Sequence, residues 1–181
     1  ILISNGRVVD PASKTDRVQD IWLADGKIAA LGRAPDGFVA ERTIAADGLV
    51  VAPGFIDLAA RLREPGFEYR ATLESEMDAA MAGGITSLAI PPDTDPALDE
   101  PGLVEMLCYR AKKLNRAHVY PVGALTIGLK GERLSEMAEL VEAGCVAFSQ
   151  ANVPVLDNTV LMRALQYAAT EGYLPLRELL V

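Results

Sequence analysis

The sequence is poor in the residues that most often carry chemistry. It has a single histidine, His118, and two cysteines, Cys108 and Cys145, far apart and without CxxC spacing. A histidine-rich zinc site is therefore not on offer. The two thiols read as small buried hydrophobes in a reducing cytosol rather than a disulfide or redox pair. No apolar run reaches the ~20 residues that a membrane span needs. No signal-peptide pattern opens the sequence, so a cytoplasmic protein is expected. Basic excess is also lacking. The formal net charge is -8, which argues against nucleic acid or an anionic membrane as partner. Internal repeats and low-complexity segments are absent.

What is present is a globular composition, half apolar and 23% charged, with two textures along the chain. Residues 1–52 read as a small β domain. Ile1–Ile3, Arg7–Val9, Val18–Leu23 and Lys27–Leu31 are short apolar or alternating runs. Ser4-Asn5-Gly6, Asp10-Pro11, Asp25-Gly26 and Asp47-Gly48 punctuate them as turns. Asp25-Gly26 predicts a two-residue hairpin, because such turns need positive φ at both positions.

Residues 53–170 alternate strand and helix. Gly54–Leu58, Ile85–Ile90, Val119–Leu125 and Cys145–Phe148 are the predicted strands. Thr72–Ala82 carries Leu73, Met77, Ala80 and Met81 on one side and stops at Gly83-Gly84. Leu103 to Leu114 forms a second apolar stripe, and Leu134, Met137, Leu140 and Val141 mark a third helix ending at Gly144. Asp157 caps a fourth, carrying Val160 to Ala168. The methionines at 77, 81, 106 and 137 lie on these stripes and are assigned to the core. Repeated βα units of this size predict a parallel sheet with right-handed crossovers. The fold class is α/β, a partial (β/α)8 TIM-type barrel with the first four βα units present, after an N-terminal β-sandwich-like domain. Half a barrel leaves two sheet edges open, so a partner or a further segment is expected to close it.

Barrel chemistry sits at the C-terminal ends of the strands. Those ends offer Asp57, Arg61, Arg63 and Glu64; then Asp93, Thr94 and Asp95; then Thr126 and Lys130; then Ser149, Gln150 and Asn152. Histidine is missing from all four. His118 falls at the start of the third strand, on the opposite face, as a surface or packing residue.

Several segments then resemble the dihydroorotases of the amidohydrolase superfamily. Pro53-Gly54-Phe55-Ile56-Asp57 through Leu62-Arg63-Glu64-Pro65-Gly66 is similar to that family's PGFID-x-H-x-H-LREPG strand. Ala82-Gly83-Gly84-Ile85-Thr86, Pro91-Pro92-Asp93-Thr94-Asp95-Pro96, Gly123-Ala124-Leu125-Thr126, Lys130-Gly131 and Glu142-Ala143-Gly144 to Phe148-Ser149 resemble its AGGFT, MPNTNP, GA-x-T, KG and EAG-x-x-x-FSDDG segments, in the same order. The resemblance runs from residue 1 to about residue 170.

The departures fall on the chemistry. The resemblance places metal-binding histidines at positions 59 and 61, held here by Ala59 and Arg61. The aspartate pair that contributes to the metal site is replaced by Gln150 and Ala151, and the substrate-binding asparagine by Asp93. Alanine has no lone pair to give, and a guanidinium stays protonated. A unit charge ~4 Å from another like charge costs about 4 kcal/mol at an effective dielectric near 20, and a divalent ion doubles that. Zinc is thus expected in active relatives and no metal or other cofactor here. Arg63 matches the arginine that holds the substrate carboxylate. It is either an anion-binding remnant, with Asp93, or the ion-pair partner of Asp57, Asp93 or Glu64. Asp57 reads as a structural hydrogen-bonder. Asp93 beside Asp95 reads as turn-forming before Pro96, with a general-acid pair as the alternative.

The resemblance implies a dihydroorotase-like pseudoenzyme of pyrimidine biosynthesis. Inactive chains of this kind assemble with the catalytic chain of bacterial aspartate carbamoyltransferase, so a homo- or hetero-oligomer with that partner is expected, without nucleic acid or membrane. The alternative is a metal-dependent cyclic amidohydrolase, such as a dihydroorotase, hydantoinase or allantoinase, using ligands from a missing half. An orphan small-anion binder acting through Arg63 is a third class. Residues 171–181 resemble a late EG-x-LPL-x-x-LL helix of the family, which predicts a chain gap near Thr170–Gly172.

Overall fold

The computed structural model describes residues 1–172 and divides the chain into two compact units, Ile1–Pro53 and one beginning at Gly54.

The first unit is a mixed five-stranded sheet built from β1 (Leu2–Asp10), β2 (Thr15–Ala24), β3 (Lys27–Leu31), β4 (Thr43–Ala45) and β5 (Val50–Val51). β1 and β2 pair antiparallel, as do β2 and β3, whereas β4 and β5 run parallel to β1. Asp25 and Gly26 have φ of 51° and 70°, the primed turn that the Asp-Gly pair predicts. Ser4-Asn5-Gly6 is not a turn. It is a bulge inside one long strand, with the β1–β2 register shifting between Ile3 and Gly6 and Asn5 at φ 58°. Asparagine tolerates that conformation, and the Asn5 N–H donates to Asp20 Oδ1 at 2.9 Å. The bulge divides the edge of β1, with β4 pairing before it and β5 after it.

The second unit is a four-stranded parallel sheet in the order β6 (Phe55–Asp57), β7 (Ile85–Ile90), β8 (His118–Ala124) and β9 (Ala147–Ser149). The helices are α1 (Leu73–Ala82), α2 (Pro101–Leu114), α3 (Met137–Ala143) and α4 (Asn158–Glu171). Thr72 caps α1 in a reciprocal box with Ser75, and Asp157 Oδ1 caps α4 through the Thr159 N–H at 2.7 Å. Four consecutive parallel βα units are half of a (β/α)8 barrel. The third helix is shorter than its apolar stripe suggests, because Leu134 is held in a bridge to Thr126. Helix α4 runs unbroken to Glu171, where the Gly172 N–H closes it on Ala169. The chain gap expected near Thr170–Gly172 falls at the end of this helix, which the structure describes as continuous to Gly172; the rest of the late-helix resemblance, 173–181, lies outside the described residues.

Leu88 and Ile90 of β7 pack with Leu73, Met77, Leu107 and Ala111 of the helices; Phe148 of β9 packs with Val104, Met137, Leu140 and Ala164. Ala89, Val122 and Ala147 form a separate small cluster, as alternation along three adjacent strands requires. Met77 and Met137 are fully buried, but Met81 and Met106 are exposed, so only two of the four methionines fill the core. A Cβ on Gly123 would lie 2.9 Å from the Phe148 ring, so only glycine lets these strands pack as they do. Burial pushes the Cys145 thiol up to about 12, with Cys108 adding to the effect, and Cys108 is shifted up by burial as well. Both cysteines are free. Among the described residues no helix is long and apolar enough to cross a membrane.

Candidate functional site at the strand ends

The segments following β6 and β7 meet beyond the carboxyl ends of these strands. Arg61 Nε donates to Asp93 Oδ2 at 2.7 Å, with both side chains about one-third exposed. The aspartate is therefore committed to an ion pair, and its partner is Arg61 rather than Arg63. A glycine makes the second contact between the two segments. Gly66 has φ 97°, and a Cβ there would fall 2.2 Å from the Asp95 carbonyl oxygen. The Asp95 N–H donates to the Pro65 carbonyl at 3.2 Å. Asp95 is exposed, and Thr94 Oγ1 donates to the Pro96 carbonyl at 2.8 Å. The general-acid alternative for Asp93 and Asp95 is thus replaced by an ion pair and a turn.

The other candidates are held separately. Asp57 Oδ1 accepts the Ala59 N–H at 2.9 Å, a local turn of the kind a strand-end aspartate makes. Glu64 is buried. It accepts the Leu73 N–H at 2.8 Å, in the first turn of α1, and pairs with Arg110 of α2. It therefore fastens the segment after β6 to two helices and is not the partner of Arg63. The Arg63 side chain makes no hydrogen bond or ion pair among the described residues, and its φ is 63°. It lines a small depression with Arg61, Phe67, Asp93 and Thr94.

Gln150, just after β9, is fully buried. Its Oε1 accepts from Thr126 Oγ1 at 2.9 Å, and the same hydroxyl accepts the Gly131 N–H at 2.9 Å. Gln150 Nε2 has no hydrogen-bond partner among the described residues. Ala151 follows at φ 51°, its N–H donating to Ser149 Oγ at 3.0 Å. A further tie joins the loops after β7 and β8, where the Gly128 N–H donates to Asp99 Oδ2 at 2.6 Å. The Glu64–Arg110 pair and the Asp99 tie are invisible in the sequence, because they join residues 46 and 29 positions apart. Lys130 and Asn152 are exposed.

These residues do not fit a zinc ion. Position 59 offers a methyl group, position 61 a cation already bonded to Asp93, and position 150 an amide oxygen turned to a hydroxyl. Among the described residues no three His, Cys, Asp or Glu side chains gather closely enough to hold a metal ion.

Residues 48–173 match the family model described as Dihydro-orotase-like. The chain is 49% identical over 170 residues to a dihydroorotase-like protein of Pseudomonas putida, covering 94% of this chain and 40% of the relative. It is 43% identical to a dihydroorotase of Pelobacter propionicus, covering 93% of this chain and 40% of that one. The fold matches an L-hydantoinase (dihydropyrimidinase) from Arthrobacter aurescens with a TM-score of 0.77 at 24% identity, covering 95% of this chain and 39% of the other. This chain thus spans about 40% of the length of the curated relatives it matches. A matching fold, and a family match over more than half its residues, lead to one conclusion: the chain belongs to the dihydroorotase-like family.

Proposed function

We propose that this chain is part of a catalytically inactive dihydroorotase-like protein of pyrimidine biosynthesis. It serves as a structural partner of an aspartate carbamoyltransferase catalytic chain in a mixed cytoplasmic oligomer. The observation that carries the reading is the Arg61–Asp93 ion pair. A fixed positive charge stands where the resemblance calls for a metal ligand, and it is paired with Asp93. Ala59 and the buried Gln150 remove the neighbouring donors. Ring-amide hydrolysis in active relatives needs a metal to polarise the carbonyl and acidify water. A kept fold without those donors suits a role in assembly. Arg63, unpaired among the described residues, is the remnant best placed to bind an anion.

The test has two arms on the full-length protein: dihydroorotate hydrolysis, and co-expression with an aspartate carbamoyltransferase catalytic chain followed by sizing. No turnover together with a mixed oligomer is the expected result. A strictly monomeric profile, with carbamoyltransferase stability and activity unchanged, would overturn the partnership. The second reading, a metal-dependent cyclic amidohydrolase, is favoured by relatives named dihydroorotase at 43% identity. It requires ligands from outside the described residues, and turnover that depends on zinc would establish it.

A further inference from the structure

The amino-terminal end of β8 carries a second feature, unrelated to the strand-end site. Between Glu105 and Glu132 the chain has no acidic residue, although its net charge is -8. The same stretch holds Arg110, Lys112, Lys113, Arg116, Lys130 and the only histidine. Arg110 is engaged by Glu64, and Arg116 Nε faces Asp78 Oδ1 at 2.8 Å. Lys112 and His118 have no ion-pair partner among the described residues.

These groups surround a hollow. An open surface hollow of about 430 Å3 at the end of α2 is lined by the exposed side chains of Lys112, Asn115, Arg116, His118 and Tyr120, with no acidic side chain in its wall. That volume lies within the ~300–1,000 Å3 typical of small-molecule sites. Asn115 sits in the left-handed conformation that ends α2. The His118 and Tyr120 rings, two residues apart on β8, lie 6.4 Å apart. Lysines near a helix C-terminus commonly offset its partial negative charge, which accounts for Lys112 and Lys113 by themselves. It does not account for an arginine, an imidazole, a phenol and an amide gathered with Lys112 around one concavity.

We propose that this hollow binds the phosphate group of a small molecule. The wall offers a point charge from Lys112, the terminal guanidinium nitrogens of Arg116, whose Nε is held by Asp78, and neutral donors from Asn115 and Tyr120. This set matches a group with several strong acceptor oxygens and about two negative charges. A lipid headgroup has the same chemistry, but a free phosphate ester suits a hollow of limited size. The site opens at the start of β8, whereas the strand-end site lies beyond its other end, so this proposal does not depend on the proposed function.

The test is calorimetric titration of the full chain with sodium pyrophosphate at pH 7 and constant ionic strength, beside vesicles containing phosphatidic acid. Saturable binding of pyrophosphate with Kd below about 1 mM is expected, weakened about tenfold or more by Lys112→Glu and by His118→Gln. Lys112→Gln, a milder change, should weaken it in the same direction and guards against misfolding of the reversal. Absence of saturable pyrophosphate binding, equal affinity in folded Lys112→Gln, or binding to vesicles alone would overturn the proposal.

Discussion

Arg61 and Asp93 lie 2.7 Å apart, Nε to Oδ2, and couple the segment after the first barrel strand to the segment after the second. Each side chain keeps about one-third of its exposure, so solvent screens the pair. A double-mutant cycle with Arg61→Met and Asp93→Asn should give a coupling energy of about 1 kcal/mol in urea unfolding. Additive effects would show that the two side chains do not interact in solution.

Glu64 should matter more. Its carboxylate is buried, accepts the Leu73 N–H and pairs with Arg110. Glu64→Ala leaves an orphaned helix N–H and an unpaired guanidinium. Arg110 is half exposed and regains water, so the expected loss is about 2–3 kcal/mol. A loss below about 0.5 kcal/mol, the range of ordinary surface changes, would refute this role.

How far the sequence reveals these features depends on the range of the interactions. The hairpin at Asp25-Gly26, the cap at Asp157 and the parallel βα order all follow from neighbours in sequence, and each is legible there. Ser4-Asn5-Gly6 carries turn chemistry, but pairing with β2 on one side and with β4 and β5 on the other overrides it and makes a bulge. The substitutions at 59, 61, 150 and 151 are also legible, through the resemblance. What Arg61 does is not. Whether it or Arg63 reaches Asp93 depends on how two loops fold over each other, and Gly66 against Asp95 sets that approach.

Gln150 gives predictions of different size for two substitutions. Gln150→Met removes a buried amide with an unpartnered Nε2 while giving up the bond from Thr126. The two effects offset, so stability should change by no more than about 1 kcal/mol. Gln150→Asp restores the family's residue but buries a carboxylate where the amide oxygen now meets a hydroxyl. It should destabilise by about 2 kcal/mol or more at neutral pH, and less in mild acid, where the carboxyl is protonated. Equal stability of the two variants at pH 7 would contradict this account of the site.

The Cys145 thiol, pushed up to about 12 from an ordinary value of 9.0, ties stability to alkaline pH. The folded state holds the proton over a range where the unfolded state has lost it. Its contribution is therefore complete below pH 9 and is lost as pH rises toward 12. The expected slope is about 1.4 kcal/mol per pH unit relative to Cys145→Ala, an upper bound for a group not fully sealed from water. Parallel pH profiles of the two proteins would show that the thiol is not shielded.

The central claim is that this strand end does not hold a catalytic metal. It is tested most directly by zinc content per chain in the full-length protein, purified without chelator and assayed in parallel for dihydroorotate hydrolysis. The account predicts zinc well below one ion per chain and no turnover. It also predicts that placing histidine at 59 and 61 and aspartate at 150 and 151 raises zinc uptake without restoring turnover. One zinc per wild-type chain, with turnover lost in Arg61→Ala, would contradict it.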